Sequence, residues 1–545
     1  MELQDVLKLL GGVALLIYGI KTMGDALQEL AGDNLRRLLA SLTGTPIRGV
    51  TVGALVTMII QSSSATTVMV VSFVHVGLMN LTQGFSVIMG ANIGTTITAQ
   101  LIAFSIQKYS IVAAIFGAVF AVMGKSSRQK QLGFGLVGFA LLFVGMGMMQ
   151  EAMGFLKGRQ DLFASVNNNP LMGLLAGTVV TMLVQASAAT VGLTMAMAAQ
   201  GLLGLPAAIA IILGDNIGTT ITAVLASLGG NRAAKQAAAA HVMFNVIGAT
   251  IMMLLISPFS KLVALTSSDI ARQVANSHSM FNILNTCIFL PFIRPYTALI
   301  KRLVPDDERS SALADQGAKY LDYNLIEVAP AAAVEAVRKE LVRMGGIAMG
   351  MLRDCYSIIL EKNTKLMPDV LTTEKTVNQL NHQIIAYSTE LGQKVLASEL
   401  SVMLNLFTGG VADLERMGDH AENLVEMAQF MVDRKQEFSP KARKECREMF
   451  DLVLASVEKS IKAIELEDTA LSDEVIEIEK KVDQMEKILR ARHIERLNSG
   501  KCQPSAGVVF IDILSNLERV GDHAHNLALV VKDIRKLGSR QVTGR

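Results

Sequence analysis

The sequence predicts an all-α protein with a polytopic membrane domain at residues 1–300 and a soluble helical domain at residues 334–537. Three observations support this. The first 300 residues contain long uncharged apolar runs, they carry a duplicated unit, and a second duplication lies in the charged C-terminal region. The 545 residues exceed the length of one domain. Residues 301–333, with Pro, Gly, Ser and mixed charges, are predicted as a linker, and 538–545 as a tail.

The apolar runs indicate membrane helices. No Asp, Glu, Lys or Arg occurs at 49–107, and Asp215 is the only one at 171–231. Such runs exceed the ~20 residues that span a bilayer. The first segment lacks the features of a signal peptide, so we expect a retained membrane helix. The segments fall near 5–22, 46–79, 84–104, 109–124, 132–150, 171–203, 206–228, 237–257 and 281–299.

The duplicated unit lies inside these segments. Residues 53–101 recur without a gap at 177–225, so QSSSAT at 61–66 corresponds to QASAAT at 185–190, and NIGTTITA at 92–99 returns unchanged at 216–223. Within the repeat cores, 46–104 and 171–228, the segments 46–79 and 171–203 are too long for one span. We therefore predict two half-helices that meet at a polar tip, a re-entrant hairpin in each repeat. The Gly-Thr-Thr after each Asn predicts a further helix break.

The charge distribution predicts the topology. If the hairpins do not cross, seven crossings remain, and three of them separate the hairpins, so the repeats are inverted and substrate is expected at their interface. The loops at 151–161 and 261–272 carry mixed charge. The positive-inside rule places the basic loops, and with them the C-terminal domain, in the cytoplasm. These basic residues are Arg36, Arg37, Arg48, Lys125, Arg128, Lys130, Arg232, Lys235, Arg294, Lys301 and Arg302.

The hairpin tips have the chemistry of an ion site. The first amides of a half-helix lack intrahelical partners and lie at the positive end of its dipole, which suits a small oxyanion. Side-chain oxygens of Gln, Asn and Thr suit Na⁺. The alternative is that Ser, Thr and Gly simply allow close helix packing, but two matched copies favour a site. The hydroxyl groups at the tips belong to Ser62, Ser63, Ser64, Thr66, Thr67, Ser187 and Thr190.

Three further features of the membrane domain allow two interpretations each. Asp215, whose counterpart is Ala91, is either a cation ligand or a residue that snorkels to the interface or caps a broken helix. HVMFN at 241–245 and HSMFN at 278–282 supply histidines that more often join helices by hydrogen bonds than relay protons. GFGLVG at 133–138 matches a dinucleotide-binding pattern, but inside an apolar span it indicates close helix packing.

The paired Gln-Ser motifs resemble those of the type II sodium–phosphate cotransporters over residues 1–300. The resemblance implies a phosphate site at Gln61, Ser62, Ser63, Ser64, Gln185 and Ser187. It also implies Na⁺ as coupling ion, with candidate ligands Thr66, Asn92, Thr95, Thr190, Asp215, Asn216 and Thr219. Ala186 and Ala188 replace two serines of the motif, which leaves the stoichiometry and the symmetry of the site open.

The C-terminal region also repeats. LERMGDHAENL at 414–424 returns as LERVGDHAHNL at 517–527, and TEKTVNQL at 373–380 is echoed by IEKKVDQM at 478–485, which predicts two tandem bundles of three helices. Acidic residues spaced i,i+4, such as Glu415 and Asp419 or Glu518 and Asp522, repel each other. A bound cation or a salt bridge should offset this repulsion. Spacing alone slightly favours salt bridges with Arg416 and Arg519. Glu374 has Asn378 in place of a second acid.

The repeated ERxGDHAxN segments resemble the PhoU family, tandem three-helix bundles whose E/DxxxD motifs bind metal. PhoU-type proteins regulate phosphate transport and signalling. The resemblance implies a divalent or iron-type metal, and it leaves His420 and His523 free to face elsewhere. The candidate metal ligands are Glu415, Asp419, Glu479, Asp483, Glu518 and Asp522.

Together these features predict a sodium-dependent phosphate symporter of the bacterial inner membrane with a cytoplasmic regulatory domain. Its expected partners are inorganic phosphate, sodium and the lipid bilayer, with a homo-oligomer as a further candidate. A membrane-anchored phosphate sensor and a phosphate exporter are the alternatives. An enzyme is not expected because no GxSxG motif is present, and no basic tract with aromatics indicates nucleic acid. Cys287, Cys355, Cys446 and Cys502 show no paired spacing and are expected to be reduced or inert.

Overall fold

A computed structural model describes residues 3–31, 45–104, 107–156, 163–228, 230–305, 317–394, 396–499 and 503–543. The chain forms two compact units, Met1–Asp306 and Asp307–Arg545. The described residues form helices and contain no strand, as the all-α prediction requires. Arg36, Arg37, Cys502, parts of the predicted linker and of the 151–161 loop, and the last two tail residues lie outside the described ranges.

The first unit contains fifteen described α-helices and two short 3₁₀ helices, at Met153–Leu156 and Leu290–Phe292. The α-helices are α1 (Leu3–Ala31), α2 (Pro46–Ile60), α3 (Ser63–His75), α4 (Leu81–Ala103), α5 (Gln107–Met123), α6 (Ser127–Ala152), α7 (Ala164–Asn168), α8 (Pro170–Val184), α9 (Ser187–Ala199), α10 (Leu205–Thr219), α11 (Ile221–Ser227), α12 (Arg232–Leu254), α13 (Ile256–Ala264), α14 (Ile270–Phe289) and α15 (Ile293–Leu303).

Six helical stretches of the described residues are long and apolar enough to cross a membrane, and they coincide with six of the seven predicted crossings. The seventh, 109–124, corresponds to α5, which has 17 residues and falls among the shorter apolar helices. The six stretches are Gln4–Leu30, Leu81–Ala103, Ser127–Ala152, Leu205–Ser227, Arg232–Leu254 and Ile270–Leu303.

Each predicted hairpin consists of two helices that are too short to span a bilayer. In repeat one, α2 has 15 residues and α3 has 13, and α8 and α9 have the same lengths in repeat two. Fifteen residues extend only about 22 Å, against a hydrocarbon core of about 30 Å. Each first arm begins with proline at a position where no backbone donor is needed. The predicted half-helices are therefore confirmed.

Both hairpins break at the same glutamine. Gln61 and Gln185 adopt the left-handed conformation, with φ of 57° and 55°, and end α2 and α8. Across the first break the hydroxyl of Thr57 donates to that of Thr66 at 3.0 Å, which shows that the chain folds back on itself. The motif residues therefore sit at a turn between two helix ends.

The helix break predicted after each Asn-Ile-Gly-Thr-Thr occurs in one repeat only. In repeat two the chain breaks at Thr220, between α10 and α11. In repeat one α4 continues without interruption through Thr96, so the prediction was wrong there. The eight residues are identical in the two copies. The surrounding packing must therefore decide whether the helix breaks.

Glycine allows the helices within each repeat to touch backbone to backbone. A Cβ on Gly53 of α2 would lie 2.1 Å from the carbonyl oxygen of Val87 on α4. A Cβ on the equivalent Gly177 of α8 would lie 2.1 Å from that of Ile211 on α10. Membrane helices associate through such small residues because packing replaces the hydrophobic effect. The pairs α2–α4 and α8–α10 are thus close-packed in the same way.

Helices α1 and α6, which precede the first and the second repeat core, form a third close-packed pair. Gly12 lies against Gly145 and Gly19 against Gly138, so the two helices run antiparallel. A Cβ on any of these four glycines would lie 2.6–2.8 Å from the partner's carbonyl oxygen. Next to this seam, the apolar core of the unit includes Leu16 of α1 and Met195 of α9. Helix α1 is thereby held beside the second hairpin.

The second unit contains two three-helix bundles, as predicted. A short helix, α16 (Tyr323–Val328), precedes them, and the first bundle begins at Pro330. Tyr387 and Phe407 are fully buried in the first bundle, and Phe450 and Phe510 in the second. The bundle helices are α17 (Pro330–Glu361), α18 (Met367–Gly392), α19 (Ser398–Asp433), α20 (Pro440–Leu466), α21 (Thr469–Asn498) and α22 (Pro504–Thr543).

The three described cysteines, Cys287, Cys355 and Cys446, are free thiols. Cys355 and Cys446 are buried in the bundles, and burial raises the pKa of each to about 12. Because the thiolate is the reactive form, both remain unreactive thiols near neutral pH.

Candidate functional site

A cavity of about 340 Å³ in the first unit is lined by both hairpin tips, by α4 and by one face of α1. Its volume lies at the lower end of the roughly 300–1,000 Å³ typical of small-ligand sites. The cavity brings together all six predicted phosphate ligands, although 124 positions separate the two motifs. These ligands are Gln61, Ser62, Ser63, Ser64, Gln185 and Ser187.

The first tip is held by its own side chains. Ser62 is the N-cap of α3, and its hydroxyl accepts a hydrogen bond from the amide of Ala65 at 3.2 Å. The side-chain carbonyl of Gln61 accepts from Thr98 of α4 at 2.7 Å, and its amide donates to the carbonyl of Met58. The amides of Ser63 and Ser64 begin the helix, where no intrahelical acceptor exists. They are thus donors at the wall of the cavity.

The second tip has the same backbone but fewer restraints. Ala186 occupies the N-cap position of α9 and makes no side-chain capping bond. Gln185 is exposed. Thr222, the counterpart of Thr98, donates to the carbonyl of Thr219 at 2.9 Å and not to the glutamine. The two halves of the cavity are therefore unequal, and the serine-to-alanine replacement accounts for the missing cap.

Behind each tip, a threonine pair joins the two arms of the hairpin. Thr57 donates to Thr66 at 3.0 Å, and Thr181 contacts Thr190 at 2.8 Å. All four side chains are buried. The predicted sodium ligands Thr66 and Thr190 thus lie behind the tips and do not line the cavity. Of the seven sodium candidates, only Thr95 lines the cavity.

Asp215 extends the threonine pair of repeat two. It is 1% exposed, so its carboxylate does not reach the surface of the unit. Its Oδ1 accepts a hydrogen bond from the Thr181 hydroxyl at 2.7 Å, while Oδ2 is buried with no partner among the described residues. Because Thr181 has one hydroxyl hydrogen, Thr190 must donate to Thr181 when Thr181 donates to Asp215. The three residues form one connected polar group.

The remaining sodium candidates bond elsewhere. Asn92 donates from its amide to Asn245 at 3.0 Å, and its carbonyl oxygen lies 3.3 Å from Nε2 of His241. The predicted interhelical hydrogen bond is thus confirmed for His241. Asn216 donates to the carbonyl of Ile212 at 2.8 Å. The hydroxyls of Thr95 and Thr219 both donate to backbone carbonyls one turn earlier.

Several polar residues of the site were not predicted from the sequence. Lys21, Asp25 and Gln28 of α1 line the cavity beside the tips. Lys21 lies within the first apolar segment, and Asp25 follows four positions later. Charged residues in a membrane helix often mark a functional site, so both could have been identified from the sequence. Thr57 and Thr181 could have been found because Val-Thr-Met is identical in both repeats.

In the second unit, three predicted metal ligands come together. Ligand atoms of Glu479 and Asp483 on α21 and of Asp522 on α22 all lie within 4.8 Å of one another. Such oxygen ligands suit hard divalent cations. Burial and the neighbouring Asp483 raise the pKa of Asp522. The residues present therefore fit a metal ion.

The other predicted metal ligands have related surroundings. Burial and then Asp522 raise the pKa of Glu518, one turn earlier on α22. In the first bundle, burial and Asp419 raise the pKa of Glu415, and Asn378 donates a hydrogen bond to Glu374. The described ion pairs around these acids include His525 with Glu479 at 3.4 Å, but not Arg416 or Arg519. The predicted salt bridges with Arg416 and Arg519 are therefore absent among the described residues, whereas His525 of α22 pairs with Glu479 of α21.

The two histidines of the repeated segments meet between the bundles. The rings of His420 on α19 and His523 on α22 stack with centroids 5.7 Å apart. Nδ1 of His420 lies 2.9 Å from Asn516, and Nδ1 of His523 lies 2.8 Å from Asp413. Burial lowers the pKa of His420. These histidines join the bundles and bond to Asn516 and Asp413, not to the candidate metal ligands.

Comparison with known proteins agrees with this geometry. A family model described as Na⁺/Pi-cotransporter matches residues 15–151 and 155–289, with one repeat core in each segment. The chain is also 32% identical over 270 residues to the uncharacterized protein YqeW of Bacillus subtilis, covering 48% of this chain and 88% of YqeW. The chain belongs to the Na⁺/Pi-cotransporter family. A PhoU domain model matches 341–428 and 446–531, so this cotransporter-family chain carries a PhoU domain.

Two further relatives are similar to nearly the whole chain and to a part of it, respectively. The chain is 25% identical over 522 residues to the "Putative inorganic phosphate export protein YjbB" of Escherichia coli (strain K12), covering 94% of this chain and 95% of YjbB. It is 29% identical over 193 residues to a PhoU homolog of the phosphate-specific transport system from Thermotoga maritima, covering 35% of this chain and 82% of that homolog. Both resemblances predicted from the motifs are thus confirmed.

Proposed function

We propose that this membrane protein of a phosphate transporter family carries inorganic phosphate across the bacterial inner membrane with Na⁺ as coupling ion. We infer that its PhoU domain lies in the cytoplasm, as the positive-inside rule favours, and that it regulates this transport. The observation that carries the proposal is the single cavity into which both Gln-Ser tips open. Transport requires no catalytic group, and we infer no enzymatic activity.

The tips offer the donors that a phosphate oxyanion needs. Each second arm begins at the cavity, so its first amides and the positive end of its dipole face the same space. Anions bind at helix N-termini for this reason. The hydroxyls of Ser62, Ser63, Ser64 and Ser187 add further donors. Two helix ends and four hydroxyls would together hold a tetrahedral anion between the repeats.

Asp215 supports a sodium site in repeat two. An unpaired buried carboxylate oxygen is costly unless a cation or a proton offsets its charge. Oδ2 of Asp215 has no partner among the described residues, and the hydroxyl oxygens of Thr181 and Thr190 belong to the same polar group. Hard oxygen ligands of this kind suit Na⁺. Na⁺ at Asp215 would lie behind the tip that helps bind phosphate, which provides a physical basis for coupling.

The test is uptake of radiolabelled phosphate by proteoliposomes that contain the purified full-length protein. Gradients of Na⁺, K⁺ or H⁺ are imposed one at a time. We expect uptake above that of empty liposomes only with an inward Na⁺ gradient. Equal uptake with all three gradients would contradict sodium coupling. Saturable phosphate binding without flux would instead identify a membrane-anchored sensor.

Export is the second candidate for the direction of transport, because YjbB carries phosphate export in its name and aligns over 94% of this chain. The imposed gradients determine the direction of a coupled carrier. Proteoliposomes loaded with phosphate and Na⁺ should therefore release phosphate into sodium-free buffer. Release that requires no Na⁺ would favour a dedicated exporter.

A further inference from the structure

Helix α1 presents one continuous face to the phosphate cavity. Its lining residues are Ile17, Ile20, Lys21, Gly24, Asp25 and Gln28. They are spaced i, i+3, i+4, i+7, i+8 and i+11, which places them on one side of a helix. The apolar residues lie toward the start of this face and the polar ones toward its end. Helix α1 is therefore a structural part of the site.

This face of α1 is fixed against the first tip. A Cβ on Gly24 would lie 2.8 Å from the carbonyl oxygen of Ile60 and 3.5 Å from the Cβ of Gln61. Gly24 therefore marks the place where α1 touches the hairpin. Lys21 lies one turn before this contact and Asp25 directly after it. Both charged residues are thus positioned beside the donors of the tip.

Lys21 is the one cation among the described residues that line the cavity, and Asp25 is the one anion. Neither forms an ion pair or a hydrogen bond with the described protein. Lys8, on the same helix, pairs instead with Glu151 at 2.9 Å. A charged side chain within a membrane helix is costly unless it meets a counter-charge or a water-filled cavity. The lysine therefore faces the space where an anion would bind.

We propose that Lys21 binds phosphate directly and that the Asp25 carboxylate, which lines the same cavity, weakens phosphate binding by charge repulsion. This inference rests on the proposed phosphate site. An ammonium group on a flexible stem forms strong charge-assisted hydrogen bonds to phosphate oxygens. Asp25 lines the same cavity without pairing with Lys21, so its carboxylate would repel a bound anion. Removal of that negative charge should therefore tighten phosphate binding.

The experiment compares Lys21→Gln, Lys21→Arg and Asp25→Asn with Lys8→Gln as the matched control. The apparent KM for phosphate is measured at saturating Na⁺. Lys21→Gln should raise KM at least about tenfold, since the variant loses a charge-assisted hydrogen bond to phosphate. Lys21→Arg should restore part of that loss. Asp25→Asn should lower KM, and Lys8→Gln should leave it within twofold.

Equilibrium binding of radiolabelled phosphate to the purified variants separates this inference from the proposed function. If wild-type protein binds phosphate without transporting it, the transport proposal fails, but the binding assay still tests the contact of Lys21 with phosphate. A Lys21→Gln variant that elutes as folded protein and binds phosphate as tightly as wild type would overturn the inference. A KM for Asp25→Asn that is unchanged or raised would overturn the repulsion by Asp25.

Discussion

Gln61 and Gln185, the two glutamines in the left-handed conformation, lie at the hairpin tips that line the cavity of the first unit. A non-glycine residue with positive φ is uncommon and carries a conformational cost. Glycine would remove that cost at Gln61, but it would also remove the bonds to Thr98 and Met58 that hold the tip. A glutamine therefore meets a backbone and a side-chain requirement at one position. Gln185, 124 residues later, keeps the left-handed backbone with φ of 55°, but Thr222 does not donate to its side chain as Thr98 does to Gln61.

At the residue scale, Ser63→Ala should lower phosphate uptake about tenfold or more while the folded protein remains in the membrane. The variant loses one hydroxyl donor to a charged ligand, a contact of about 1.5–3 kcal/mol. Ser72→Ala is the matched control, because Ser72 is buried on the same helix and does not line the cavity. Uptake by Ser63→Ala equal to that of the control would return the motif to a packing role.

Asp215→Asn should weaken the apparent Na⁺ affinity about tenfold or more and change the charge moved in each transport cycle. The substitution keeps the size of the side chain but removes the negative charge that would offset Na⁺. Phosphate uptake as a function of Na⁺ concentration, together with the current across a planar bilayer, measures both effects. Asp269→Asn, at the N-cap of α14, controls for loss of an acid elsewhere. Wild-type Na⁺ dependence of the Asp215 variant would exclude this residue as a ligand.

Sequence reasoning found the tip residues but not their neighbours on α1. The tips were found because duplication repeats the same letters at a fixed spacing. Lys21 and Asp25 have no repeated counterpart, and only the packing of Gly24 against Ile60 brings them to the cavity. The hydrogen bond from Asn92, a predicted sodium ligand, to Asn245 on α12 was likewise not predicted. A contact between helices distant in sequence leaves no local pattern.

At the element scale, identical sequence yields different helices. NIGTTITA continues as one helix in α4 and breaks at Thr220 in repeat two. Local propensity is the same in both copies, so tertiary packing overrides it. The predicted hairpin arms did not depend on such context, because length alone excluded a full span. Features fixed by length and periodicity were therefore predictable, and a break fixed by packing was not.

The acidic faces of α21 and α22 should make the stability of the metal-free protein depend on pH. Burial raises the folded-state pKa of Asp522 and Glu518, so the folded state binds more protons than the unfolded state. Their contribution is then favourable at low pH and is lost as pH rises from about 4 through the raised values. Full-length protein treated with chelator should show a falling melting temperature of the PhoU domain over this range.

Added Mn²⁺ or Mg²⁺ should reverse this loss near neutral pH, because a cation offsets the repulsion among the carboxylates. Asp483→Asn should reduce the metal-dependent gain in melting temperature, whereas Asp473→Asn, which removes only an exposed pair with Lys532, should not. A gain that is equal in both variants would indicate that the metal binds elsewhere.

At the scale of the whole molecule, the two units allow the functions to be separated. Every proposed transport ligand belongs to the unit Met1–Asp306. A chain that ends at Lys319 should therefore still move phosphate in proteoliposomes. It should lose regulation by cellular phosphate status, since regulation requires a second element with two states. Uptake by cells grown at low and high phosphate, with full-length and truncated protein, measures this.

Loss of transport in a truncated protein that is stable and correctly inserted would contradict this modular arrangement. The amount of inserted protein, measured by protease protection of the loops, distinguishes such a loss from poor expression. The full-length chain with Asp483→Asn is a useful comparison, because it retains the second unit while altering its acidic cluster.

The glycine contacts of the first unit also define which parts can move during a transport cycle. Gly12 and Gly19 bring α1 into direct backbone contact with α6. Gly53 does the same for α2 and α4, and Gly177 for α8 and α10. Backbones in direct contact have no side chains that could slide or repack, so each pair should move as one rigid body. Because Gly24 also brings α1 against the end of α2, alternating access would then proceed by displacement of the α8–α10 pair relative to the helices joined to α1, which carry Lys21.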